Sequence, residues 1–109
     1  MDEGPLNIVA VDEGGGRLLT LTGEATIYAA ALTKASLLLE LEGAGSVDLD
    51  LSGVHEVDTT FVQLLLLLRR EADRADKALK IVGASPPVQQ LIELYGLGER
   101  LLSSREDAP

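Results

Sequence analysis

Asp58, Thr59 and Thr60 stand together directly ahead of an apolar run that includes five consecutive leucines, Leu64 to Leu68. Two chemistries are open to a carboxylate and two hydroxyls in that place. Any of the three could supply the side-chain oxygen that accepts a free amide of a helix's first turn. A threonine hydroxyl there is also where a phosphate is well held, by unpaired N–H groups and the positive end of the helix dipole. A phosphoryl group brings about −1.5 to −2 charges. Beside Asp58, on a chain whose formal charge is already −9, it would repel an acidic partner and expel the threonine from a dry interface. A residue of that kind is an on/off label for binding. His55, four positions before Thr59, completes the residue types of a nucleophile, a base and an orienting acid. Nothing around it signals an oxyanion hole or a substrate pocket, so no catalytic residue is expected.

The rest of the composition narrows the classes of function. With no cysteine and one histidine, the chain lacks disulfides, thiol chemistry and any Cys/His cluster, and neither a metal site nor a cofactor is expected. Nine acidic residues and only Arg17 and Lys34 fall in the first fifty positions, a balance that repels nucleic acid and anionic lipid. The one basic island, Arg69, Arg70, Arg74, Lys77 and Lys80, is interleaved with Glu71, Asp73 and Asp76 and reads as a solvated helix face with intrahelical pairs. No basic segment precedes an apolar one at the N-terminus, and Leu64–Leu68 is far short of the ~20 residues that cross a bilayer. A soluble, cytoplasmic protein is the expectation.

The elements that must position these residues follow from periodicity. A length of 109 residues suits one domain spanning 1–109, with a core over about 6–102 and a frayed tail at 103–109. Aromatics are only 3% against a hydrophobic share of 46%, so the core is aliphatic, as suits helices on a sheet. "LNIVAV" and "RLLTL", joined by "DEGGG", predict a hairpin; without a following lysine the glycines are turn residues rather than a phosphate loop. Ala25–Glu42 predicts a helix with Ile27, Ala30, Ala31, Leu38 and Leu41 on helical spacing, Glu24 at its start and "GAG" at its end. "SVDLDLSG" alternates as a strand, and "SGVHEVDTT" is expected to be the loop from near Leu51 to a helix over Phe61–Ala75. "ALKIVGAS" predicts a strand, "SPPVQQLIELYG" a helix capped by Ser85 and stopped at Gly96, and "LGERLLSS" a short last helix. Tyr28 and Tyr95 are expected to be partly buried packing residues. The fold class is therefore α/β: a mixed central sheet with an N-terminal hairpin, parallel crossovers and about four helices, with function gathered at strand C-termini.

Three stretches in this order resemble the STAS domain family of anti-sigma factor antagonists and related domains of anion transporters and bacterial regulatory complexes. They are "LTLTGEATIYAAAL", "VDLDLSGVHEVDTT" and "LKIVGASPPVQQLIELYGL", and the resemblance covers roughly Leu18 to Leu102. It implies a STAS-like domain that is not an enzyme and acts by binding another protein through Asp58, Thr59, Thr60 and Phe61. Thr59 matches the phosphoacceptor of the family's antagonists, with Thr60 the second choice. The implied partner is a kinase-type anti-sigma factor of the histidine-kinase ATPase fold, released when it phosphorylates the loop and restored by a phosphatase. The resemblance also admits a STAS subunit that binds an ABC-transporter ATPase without obligatory phosphorylation. In one departure, Phe61 stands where the family usually has glycine. Glycine there lets a partner's backbone come close, whereas phenylalanine either fills the core or adds an apolar knob to the surface.

Overall fold

The computed structural model of the chain describes residues 6–102. The elements run β1 (Asn7–Glu13), β2 (Gly16–Ala25), α1 (Ile27–Glu42), β3 (Ser46–Val57), α2 (Thr59–Arg74), β4 (Ala78–Ala84), α3 (Pro86–Leu94) and α4 (Gly98–Leu102). They build a four-stranded sheet in the order β1-β2-β3-β4. β1 pairs antiparallel with β2, and the two later pairings are parallel. The mixed α/β sheet with its leading hairpin is the one the periodicity predicts. Gly14 and Gly15 have φ of 59° and 98°, the left-handed pair that a two-residue hairpin turn requires. The segments 1–5 and 103–109, including the expected tail, lie outside the described residues.

Leu19 and Leu21 on β2, with Val47, Leu49 and Leu51 on β3, are buried, while Thr20, Asp48 and Asp50 between them are only partly so. Alternation of this kind means one covered sheet face. Two right-handed crossovers stepping the same way along the sheet put α1 and α2 on that same face. Leu64, Leu65 and Leu68 of α2 join the core with Leu37 of α1, Val88 and Ile92 of α3 and Leu101 of α4, while Leu66 and Leu67 pack at its margin.

Several local expectations are corrected. β3 does not end near Leu51 but continues to Val57; the pairing shifts register at Thr20/Thr22, and Gly53, whose absent Cβ leaves room for the Thr22 Cγ2, sits at that irregularity. Glu24 lies in β2, not at a helix start. In α1 the buried positions are Ala30, Thr33, Leu37 and Leu41, so the helix is rotated from the face its spacing suggested and Ile27 is exposed. Ser85 occupies the N-cap position of α3 but makes no side-chain cap bond; its buried hydroxyl donates instead to the Val54 carbonyl. The basic island is not one solvated face. Arg69 is buried, and Lys77 Nζ donates to the carbonyls of Leu41 at 2.7 Å and Glu42 at 2.9 Å, closing the C-terminal end of α1. An intrahelical pair joins Arg74 and Glu71, at 3.4 Å.

Candidate functional site

The site is built where β3 hands the chain to α2. Because β3 extends to Val57, only Asp58 separates strand from helix. Its backbone is extended (φ −128°, ψ 178°) and its side chain accepts from the Phe61 amide, at 3.2 Å through Oδ1. The second oxygen, Oδ2, accepts from the Ile27 amide at 2.7 Å. Ile27 is the first residue of α1, whose own N-cap residue, Thr26, makes no side-chain cap bond. One carboxylate therefore closes the N-terminal ends of two helices and meets the positive end of both dipoles. The Asp58 amide completes the joint by donating to the Ala25 carbonyl at the end of β2.

With Asp58 as the cap, the two threonines are free for other contacts, and the structure separates them. Thr60 is half-buried and lines a groove between α1 and α2 with Ile27, Ala31, Gln63 and Leu67. Thr59 is exposed, and its Oγ1 shares a hydrogen bond of 2.8 Å with the Tyr95 hydroxyl. Tyr95 is the C-cap residue of α3 and is 48% exposed, so the expectation of a packing residue is corrected for it. It is corrected for Tyr28 too, which is 88% exposed. Nothing in the local sequence places Tyr95 beside Thr59, thirty-six positions away; the contact exists because α2 and α3 follow neighbouring strands. Phe61 takes the inward of its two alternatives: it is 0% exposed and belongs to the core, so it contributes to the site by anchoring the first turn of α2 rather than by offering its ring. His55 is exposed on β3. Among the described residues no His/Cys/Asp/Glu group is arranged to hold a metal ion.

A second carboxylate stiffens the strand before the site. Asp50 Oδ1 accepts from the Ser52 amide at 3.0 Å and from its hydroxyl at 2.7 Å, and these bonds hold the Asp50 carboxyl below its ordinary pKa, the hydroxyl contributing most. Gly83 on β4 faces this turn: a Cβ there would lie 2.5 Å from Asp50 Oδ1.

The mixed four-stranded sheet and the order of its helices define the class of α/β fold. The family model described as "Mlab, STAS domain" matches residues 9–103. The chain belongs to the STAS domain family. Among solved structures it is similar to an anti-sigma factor antagonist from Mycobacterium paratuberculosis, with a TM-score of 0.80 at 16% identity over 98% of this chain and 92% of that one. It is likewise similar to the anti-sigma factor antagonist SpoIIAA in its unphosphorylated form, with a TM-score of 0.74 at 17% identity over 93% of this chain and 91% of that one. For the Bacillus cell fate determinant SpoIIAA in its phosphorylated form, the TM-score is 0.68 at 18% identity, over 93% of this chain and 95% of that one. At these identities the likeness establishes the fold. A comparison of the sequence with curated proteins finds no match. No helix among the described residues is long and apolar enough to cross a membrane.

Proposed function

We propose that the chain is a non-enzymatic, cytoplasmic regulator of the anti-sigma factor antagonist type. Unmodified, it binds a serine/threonine kinase of the histidine-kinase ATPase fold, and phosphorylation of Thr59 ends that binding. The observation that carries this reading is the division of labour between Asp58 and Thr59. Asp58 performs the capping that would otherwise explain the threonine, through bonds to the Ile27 and Phe61 amides. That leaves Thr59 an exposed hydroxyl at the positive end of α2, where an added phosphate meets a favourable dipole and a partner meets about −1.5 to −2 of new charge. The contact surface consists of Asp58, Thr59 and Thr60 on a first turn that Phe61 fixes from within. No cofactor enters this function.

The experiment is affinity capture with the full chain as bait from its own cells, followed by mass spectrometry of the retained proteins and of the peptide carrying Thr59 and Thr60. Capture of a kinase-fold anti-sigma factor together with phosphate on Thr59 supports the reading. Capture of the kinase with phosphate on Thr60 alone reassigns the acceptor.

A second reading, a STAS subunit that binds an ABC-transporter ATPase without obligatory phosphorylation, is favoured by the Thr59–Tyr95 bond. A hydroxyl already partnered within the chain belongs to a surface ordered without modification. Capture of a transport ATPase by a bait free of phosphate selects this alternative.

A further inference from the structure

Where β2 turns into α1, the chain encloses a small open cavity of about 230 Å³. Leu6, Ala29 and Leu32 give it apolar walls, Tyr28 gives it an aromatic ring, and Glu24 is the one ionisable acid among its lining residues. Glu24 is half-buried and makes no ion pair among the described residues. Its Cα partner across the β2–β3 pairing is a second carboxylate, the exposed Glu56. Like charges opposed across a sheet are unfavourable, and no lysine or arginine lines the cavity to offset them. The cavity is thus apolar, acidic and lacking a cation of its own.

Size, charge and surface chemistry specify the occupant. The volume falls below the roughly 300–1,000 Å³ of a small-molecule site and suits a single side chain. The unpartnered carboxylate calls for a cation, and the ring of Tyr28, 88% exposed, offers a face on which a cation is attracted. Between the two cationic side chains, arginine is the better match. Its guanidinium is planar and weakly hydrated, stacks on aromatic faces and forks onto a carboxylate, while its stem lies along apolar walls. The cavity is also tied to the Thr59 turn: Thr26, which lines it, precedes Ile27, whose amide Asp58 holds at 2.7 Å, so one protein surface can contact both. We infer that this cavity receives an arginine side chain of a partner protein, with the guanidinium between Glu24 and the Tyr28 ring and the stem against Leu6 and Leu32. The inference stands whether or not Thr59 is phosphorylated.

The side chain can be tested alone. The full chain, labelled with nitrogen-15, is titrated with n-butylguanidinium at constant ionic strength and followed by amide chemical shifts, with n-butylurea as the neutral probe of the same shape and n-butylammonium as the lysine-like one. The expected result is saturable, millimolar binding of butylguanidinium that moves the amides of Glu24, Tyr28 and Leu32, weaker binding of butylammonium, and no saturation with butylurea. Glu24→Gln and Tyr28→Leu, each shown to be folded by circular dichroism, should each weaken butylguanidinium by about two- to fivefold. Failure to saturate overturns the inference, as do shifts spread over the other carboxylates of the chain without a maximum at Glu24 and Tyr28. So does binding that the double variant Glu24→Gln with Tyr28→Leu leaves intact, or that butylurea matches. Butylammonium bound as tightly as butylguanidinium overturns the choice of arginine.

Discussion

The Thr59 hydroxyl and the Tyr95 hydroxyl lie 2.8 Å apart, joining the first turn of α2 to the last turn of α3 across an exposed surface. An exposed neutral bond of this kind adds little to stability, about 0.5–1.5 kcal/mol at most. Its effect falls on the threonine, whose side chain it holds in one direction. Tyr95→Phe removes the bond and leaves the ring. The expected outcome is an unchanged melting temperature within a few degrees, with an altered rate of phosphate transfer to Thr59 by the captured kinase. A rate identical to wild type would show that Tyr95 does not position the acceptor.

Asp58 closes two helices with one carboxylate. Each lost cap costs roughly 0.5–2 kcal/mol, so Asp58→Ala is expected to destabilise by about 2–3 kcal/mol in urea unfolding. Thr59→Ala removes no capping oxygen and loses only the exposed bond to Tyr95, so it should cost distinctly less, about 1 kcal/mol. Equal losses for the two variants would contradict the assignment of the cap to Asp58.

Leu65 is buried in the core while Leu66 packs only at its margin. Leu65→Ala should therefore destabilise by about 2–5 kcal/mol and Leu66→Ala by distinctly less, in the same unfolding measurement. An equal cost at both positions would mean that the run is enclosed on every side.

Asp50 provides a pH signature. Its folded pKa is depressed by the Ser52 hydroxyl first and the Ser52 amide second, so its contribution to stability is present above the ordinary carboxylate range and is lost as pH falls through it. The carboxylate titrates close to solvent, so the change is small. Asp50→Asn should flatten the acid limb of stability against pH, read as melting temperature from pH 7 to pH 3 and compared with wild type. A parallel offset of the two curves would show that Asp50 does not titrate in the transition.

Much of this was legible in the chain. The hairpin, the order of strands and helices and the mixed sheet follow from period-two alternation and from glycine turns, both local signals. Asp58 was visible as one of three candidate caps, but its second bond, to Ile27, depends on two crossovers bringing the starts of α1 and α2 together. The extension of β3 to Val57 was hidden because Ser52 and Gly53 read as a strand end. In the folded sheet Gly53 lies where the pairing with β2 slips and Thr22 comes close. In α1, where nearly every position is apolar, spacing could not say which face is buried, and Leu32 and Tyr28 emerged on the open side. Tyr95 at Thr59 and Lys77 at the end of α1 are contacts between elements, made by side chains whose local patterns point elsewhere.

The central claim is that charge on Thr59 decides partner binding, and the most direct measurement is the affinity of the captured kinase for wild type and for Thr59→Asp by isothermal titration. Both forms must first be shown to be folded by circular dichroism, and both titrations run at one salt concentration. The substitution places a carboxylate at a helix N-terminus, which favours folding. Thr59→Asp is expected to be as stable as wild type yet to bind at least about tenfold more weakly, since a carboxylate taken unpaired into an interface is costly. Equal affinities would contradict the switch and leave Thr59 an exposed residue that Asp58 has already relieved of capping.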